Sequence, residues 1–185
     1  MTLKVRLISI VIIALMSSNT IADTRETELR RTALVAAFVY SFSKFVTWPE
    51  EVFLADKNLI NLCVLDTEDK LEVWKNYGGK KTQGRRLNII TLASQVKSAN
   101  CHVIYVSEAH DTLYKQRIAR LLTKTVLTIG ATENFLHQGG MINLRNANNK
   151  INFSINLFSV KSSVLKIHSR LLSLAERLYD GNERH

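Results

Sequence analysis

The stretch Leu59-Ile60-Asn61-Leu62-Cys63-Val64-Leu65-Asp66-Thr67 decides the fold class. Its first seven residues form a short, nearly continuous apolar run, the mark of a strand covered on both faces. Asp66-Thr67 then supplies a cap for a helix over 68–77, closed by Gly78-Gly79, where glycine relieves the left-handed helix end. A buried strand feeding directly into a helix is the unit from which parallel sheets are built.

Working outward, the upstream residues Leu29, Ala33, Ala37, Tyr40 and Phe45 approximate an apolar stripe, widened by Leu34, Phe38 and Phe42. They predict a helix over 27–46. Trp48-Pro49 stops it, because a residue preceding proline is pushed out of the helical region. Downstream, apolar runs predict strands over 87–92, 101–106 and 126–129, with helices over 111–122 and 132–138. Met141 to Leu144 and Ile151 to Ile155 predict a hairpin around Asn146-Ala147-Asn148-Asn149. A last helix is placed over 160–179, on a stripe of Val160, Val164, His168, Leu171, Ala175 and Leu178. The expectation is an α/β three-layer sandwich of flavodoxin-like or receiver-like type. Its sheet is mostly parallel, with a C-terminal hairpin and a long C-terminal helix.

The first 22 residues follow other rules. Lys4 and Arg6 precede an apolar run from Leu7 to Met16, broken only by Ser9, and Ser17, Ser18 and Asn19 lead to Thr20-Ile21-Ala22. That order is expected of a secretory signal peptide over 1–22, cleaved after Ala22, ahead of one domain over 23–185. A retained anchor is the competing reading, but a bilayer span takes roughly 20 apolar residues. The chain carries 25 basic against 16 acidic residues, a formal charge of +9. Loss of Lys4 and Arg6 with the leader leaves 23 basic side chains and +7. Export removes nucleic acid from the expected partners and leaves anionic lipid or an acidic protein. The densest basic stretch, Lys80-Lys81-Thr82-Gln83-Gly84-Arg85-Arg86, has no interleaved aromatic for base stacking. It reads as a solvated loop, with a phosphate- or partner-facing patch as the alternative.

In an oxidising compartment the two cysteines, Cys63 and Cys101, most simply form one disulfide, two buried free thiols being the alternative. There is no dinucleotide or Walker glycine loop, no G-x-S-x-G elbow and no H-E-x-x-H. The five histidines share no metal-ligand spacing, and His102 points to the strand face opposite Cys101, which disfavours a Cys–His nucleophile. Neither a catalytic constellation nor a metal or cofactor site is expected.

Five ordered blocks carry a resemblance. Ala36 to Pro49, ending Val46-Thr47-Trp48-Pro49, resembles the opening helix of the YfiR family, and Leu62-Cys63-Val64-Leu65-Asp66 its first strand. Ala99 to Val106 is similar to its Cys-His strand. Leu127-Thr128-Ile129 with Phe135 and Gly139-Gly140-Met141-Ile142 is similar to the next block. Lys150 to Leu157, Leu165 and Leu171 to Ala175 resemble the last. A second cysteine pair, carried by some members, is absent. The resemblance implies a periplasmic repressor that binds the periplasmic part of an inner-membrane diguanylate cyclase, lowering cyclic-di-GMP and biofilm formation. It also implies sequestration by an outer-membrane OmpA-like lipoprotein and a capacity to form homodimers. The expected contact surface is an apolar patch from the first and last helices, with Phe38, Phe42, Leu165 and Leu172 as candidates. A periplasmic small-ligand sensor coupled to another membrane receptor is the competing reading.

Overall fold

In the computed structural model, which describes residues 2–54, 56–91, 100–113, 115, 124–147 and 150–180, the expected strand over 59–65 is present residue for residue as β2 (Leu59–Leu65). Before it come α1 (Thr2–Ser43) and β1 (Val46–Thr47), and after it α2 (Glu68–Lys75), β3 (Lys81–Thr82) and β4 (Arg85–Thr91). Then follow β5 (Val103–Val106), α3 (Asp111–Leu113), β6 (Leu127–Gly130), β7 (Ile142–Ala147) and β8 (Lys150–Asn156). The chain closes with α4 (Leu157–Lys161), β9 (Lys166–Ile167), α5 (Ser169–Leu174) and β10 (Arg177–Tyr179). Beyond Leu113, the helix expected over 111–122 falls almost entirely outside the described residues. The helix expected over 132–138 is reduced to a 3-10 turn, Glu133–Phe135.

The main sheet has the order β10-β8-β7-β6-β5-β2-β4-β3. Its five central neighbours, β4-β2-β5-β6-β7, are all parallel. In chain order they run second, first, third, fourth, fifth, the flavodoxin-like arrangement. The expected hairpin is β7–β8, antiparallel from Ile142↔Ile155 to Ala147↔Lys150. The sheet's edges are β10, parallel to β8, and β3, antiparallel to β4.

Alternation along the strands divides the interior in two. Ile60, Leu62 and Val64 of β2, Val103 and Tyr105 of β5, and Ile142 and Leu144 of β7 enter the larger core, with Ala36, Val39 and Phe42 of α1 and Trp74 of α2. Cys63, Leu65, Ile104, Val106, Val126 and Phe135 form the smaller core on the opposite face. Phe135 lies against two glycines there. A Cβ on Gly130 or on Gly140 would come within 2.2 Å of its ring, so both positions are held at glycine by close approach.

Two sequence expectations are corrected. The buried stripe of α1 is Thr32, Ala36, Val39, Phe42 and Ser43, displaced from the one expected through Leu29, Ala33, Ala37 and Tyr40. Thr32 and Ser43 are tolerated inside because each hydroxyl donates to a backbone carbonyl of its own helix, Glu28 and Tyr40. The long C-terminal helix over 160–179 does not form. Asn156 caps α4 by accepting from the Ser159 amide, which sets the helix start before residue 160. Ser162 and Ser163 then turn their hydroxyls onto the Phe158 and Val160 carbonyls and end it. The chain is drawn into β9, which pairs with β1, and His168 caps α5 by accepting from the Arg170 amide. The Glu176 amide donates to the Phe153 carbonyl as the chain enters β10. Among the described residues, no helix is long and apolar enough to cross a membrane.

Candidate functional site

Cys63 on β2 and Cys101, just before β5, are joined in a disulfide with their Cα atoms 5.7 Å apart. The bond spans adjacent parallel strands. His102 turns to the other face, as strand alternation requires. Its Nδ1 accepts from the Asn61 amide at 2.8 Å and its ring lies 4.9 Å from that of Phe53. Burial pushes its pKa below the ordinary histidine value, a hydrogen bond to the Val52 backbone opposes this, and the Arg85 guanidinium adds to the lowering. His102 is therefore a neutral structural ring at pH 7.

The four residues expected at a partner surface divide. Phe42 and Leu165 are 2% and 5% exposed and belong to the larger core, so neither is a surface contact. Phe42 is on the buried stripe of α1, where its ring lies 4.9 Å from that of Phe153. Leu165 is turned inward once the C-terminal helix is broken. Phe38 and Leu172 are half-buried against the same core. Exposed apolar side chains lie at Leu34 and Leu54 and, on the C-terminal segment, at Val164 and at three further positions: Phe158 on α4, Leu174 at the end of α5 and Leu178 on the edge strand β10, these three with 62%, 63% and 45% exposure. α4 and β10 are in contact, so this end of the sheet presents an apolar surface beside an unpaired strand edge. Sequence reading missed these residues because a continuous helix would bury Leu178 with Val160. The Ser162-Ser163 pair was the available signal against that helix.

A crevice of about 710 Å³ opens at the carboxyl ends of β2, β5 and β6. It lies at the β2/β5 junction, where strand order reverses and α/β proteins commonly hold ligands. Glu28, Arg31 and Thr32 of α1 line it, with Asp66, Lys70, Tyr105, Ser107 and Glu108. Its charges are largely turned on each other. Glu28 pairs with both Arg31 (2.9 Å) and Lys70 (3.5 Å). Asp66 accepts from the Thr67 amide with one oxygen and from Trp74 Nε1 with the other, 2.9 and 3.0 Å, so it is a structural acceptor. Burial, then the negative Asp66 and Glu108, push the Tyr105 hydroxyl well above its ordinary pKa, so it remains a donor and cannot act as a base.

One contact resembles catalytic geometry. Ser107 Oγ lies 3.0 Å from His110 Nδ1 at the crevice mouth. A nucleophile pair also needs a group that orients the histidine. The neighbouring Asp111 is instead engaged by Thr132 Oγ1 at 2.8 Å and Gln138 Nε2 at 3.3 Å. Ser107 is the residue before the 3-10 turn Glu108–His110, and the His110 amide returns to its carbonyl, so the contact closes a turn. Among the described residues, no three His, Cys, Asp or Glu side chains assemble as a metal site.

No curated protein matches this chain. Among solved structures, a conserved domain protein from Vibrio cholerae O1 biovar El Tor is similar, with a TM-score of 0.47 and 16% identity. The alignment covers 69% of this chain and 57% of that one, so this chain spans less than two thirds of that protein's length. A model of the YfiR/HmsC-like family matches residues 32–176, from the buried Thr32 of α1 to Glu176 beside β8, and takes in the disulfide, the crevice except for Glu28 and Arg31, and every described strand but β10. On that match the chain belongs to the YfiR/HmsC-like family.

Proposed function

We propose that this protein is an exported, non-enzymatic repressor that binds the periplasmic domain of an inner-membrane diguanylate cyclase and holds it inactive. The observation that carries this reading is the family match over residues 32–176. As a YfiR/HmsC-like protein the chain has a regulatory role in cyclic-di-GMP signalling, in a family of periplasmic proteins. Repression needs only a higher affinity for one conformation of the cyclase, and a hundredfold preference corresponds to about 2.7 kcal/mol. Removal of residues 1–22 after Ala22, a single mature domain over 23–185, sequestration by an OmpA-like outer-membrane lipoprotein and homodimer formation belong to the same proposal.

The contact surface in this reading is the apolar end of the sheet at Phe158, Leu174 and Leu178, with the half-buried Leu172 and Phe38, both packed against the larger core, kept as further candidates. A few well-packed side chains supply most of the energy of a protein interface, and Phe158 is the aromatic among the three exposed positions. Capture of the cyclase from solubilised membranes on the immobilised exported protein tests it. The double variant Phe158→Asp, Leu174→Asp is expected to bind roughly thirtyfold more weakly, with an unchanged melting temperature because both side chains already face water. Undiminished capture by that variant moves the contact away from this edge. Failure of the unmodified protein to capture any diguanylate cyclase contradicts the function itself. The crevice at the β2/β5 junction favours a second reading, a sensor of a small polar ligand.

A further inference from the structure

The edge of the sheet opposite β10 is cationic. Lys44 follows α1, Lys80 and Lys81 enter β3, and Arg86 lies on β4; all four are exposed. They line one edge of the sheet, Lys44 and Lys80 on the face that α1 covers and Lys81 and Arg86, by strand alternation, on the opposite face. Lys44 Nζ stands 4.2 Å above the Tyr40 ring, and Lys80 Nζ is 4.4 Å from the Tyr77 ring and 5.8 Å from that of Tyr40. The Tyr40 hydroxyl donates to the Lys81 carbonyl at 2.7 Å, and Lys81 and Arg86 are register partners across the antiparallel β3–β4 pair.

Acidic residues are sparse around this edge; Asp56 is close in the fold, two residues from the Asn58 carbonyl that accepts from the Arg86 amide, where it accepts from the Asn58 amide. No acidic residue occurs between Glu28 and Glu50, or between Glu72 and Glu108. Of those flanking acids, Glu50 is held by Arg85 at 2.8 Å and Glu72 by Lys75 at 2.9 Å. Among the described residues, no ion pair involves Lys44, Lys80, Lys81 or Arg86. Like charges directly opposite on paired strands are destabilising. Lysine on an edge strand discourages aggregation, a role that one lysine fills, whereas this edge carries four cations, two on each face.

We propose that this basic edge docks the domain on an anionic lipid surface. Composition favours lipid over an acidic protein. Three of the four cations are lysines, which are depleted from protein interfaces, where arginine is enriched. None of the large exposed apolar side chains lies on residues 40–46 or 75–86, so the patch has no apolar centre for a protein partner to bury. Tyrosine beside lysine is the composition that sits at a headgroup layer, where each basic side chain strengthens binding several-fold. The patch and the apolar edge are the two ends of an eight-stranded sheet, roughly 30 Å apart at ordinary strand spacing. Lipid at one end therefore leaves the other free.

The test is sedimentation of the purified exported protein with vesicles of phosphatidylglycerol and phosphatidylcholine in equal parts, against phosphatidylcholine alone. Binding is expected only to the first, and is expected to vanish at about 0.5 M salt, where screening shortens to roughly 4 Å. The double variant Lys80→Gln, Lys81→Gln is expected to bind roughly thirtyfold more weakly, with a melting temperature unchanged or raised. Lys150→Gln, Lys166→Gln, with the same loss of charge on other strands, is expected to change binding less than about threefold. No phosphatidylglycerol-dependent binding overturns the proposal, as does equal weakening by the two double variants, which would make the attraction one of net charge. Loss of cyclase capture by Lys80→Gln, Lys81→Gln with vesicle binding intact would assign the patch to an acidic protein surface instead.

Discussion

Trp48→Ala is expected to lower the stability of the domain by about 3–5 kcal/mol, the range for emptying a buried large aromatic site. Trp48 is 3% exposed, next to β1, where the chain leaves α1. Its Nε1 donates to the Thr125 carbonyl at 3.0 Å and its ring meets that of Phe53 edge-on at 6.4 Å. The indole thus connects the exit of α1 to the residues that lead into β6. Trp48→Phe retains most of the apolar contact and loses the hydrogen bond, for an expected cost of about 1–2 kcal/mol. Urea titrations of the three proteins check the order. A Trp48→Ala protein with an unshifted midpoint would show that the ring contributes no packing energy, and that the Trp-Pro corner is held by something else.

Loss of the disulfide is expected to be comparably severe. Cys63→Ser or Cys101→Ser should cost about 2–5 kcal/mol, and the chain-entropy model gives about 4 kcal/mol for a loop of this length. The sequence separation is 38 residues and the bridge crosses from β2 to the start of β5. Cys63 is fully buried in the smaller core with Leu65, Ile104, Val106, Val126 and Phe135. Thermal melts of oxidised, reduced and Cys63→Ser protein check it. Reduction without a change in melting temperature would show that strand packing alone holds the β2–β5 junction.

These elements were readable in the sequence for a common reason. β2, β5 and β6 are buried on both faces, so their apolar runs are nearly unbroken and stand out without any knowledge of neighbours. The β7–β8 hairpin was marked by its asparagine-rich turn, and Trp48-Pro49 by proline geometry. The C-terminal segment was not readable, because Val160, His168 and Leu171 keep helical spacing by coincidence of local turns. What overrides the stripe is tertiary: β9 finds β1, more than a hundred residues earlier, and the Val164 amide reaches the Lys124 carbonyl. The same override turned Leu165 inward and left Phe158, Leu174 and Leu178 outside. In α1 the error was one of phase. Apolar residues surround the helix, so the pattern alone could not choose between Tyr40 and Val39 as the buried face.

The crevice was less legible still. Asp66 was recognisable as the end of a strand in an α/β fold, but Glu28, Arg31 and Lys70 come from two different helices that only the strand order brings together. Its charge pairing explains why no reactive motif could be found in the sequence: the groups there are matched to each other.

The central claim is repression, and cyclic-di-GMP in a deletion strain tests it most directly. The account predicts that deleting the gene raises cyclic-di-GMP and surface attachment. The exported protein should restore both, and a form lacking residues 1–22, retained in the cytoplasm, should not. Cyclic-di-GMP unchanged by the deletion, under resting and reducing conditions alike, would contradict the account and leave the small-ligand sensor as the reading to pursue.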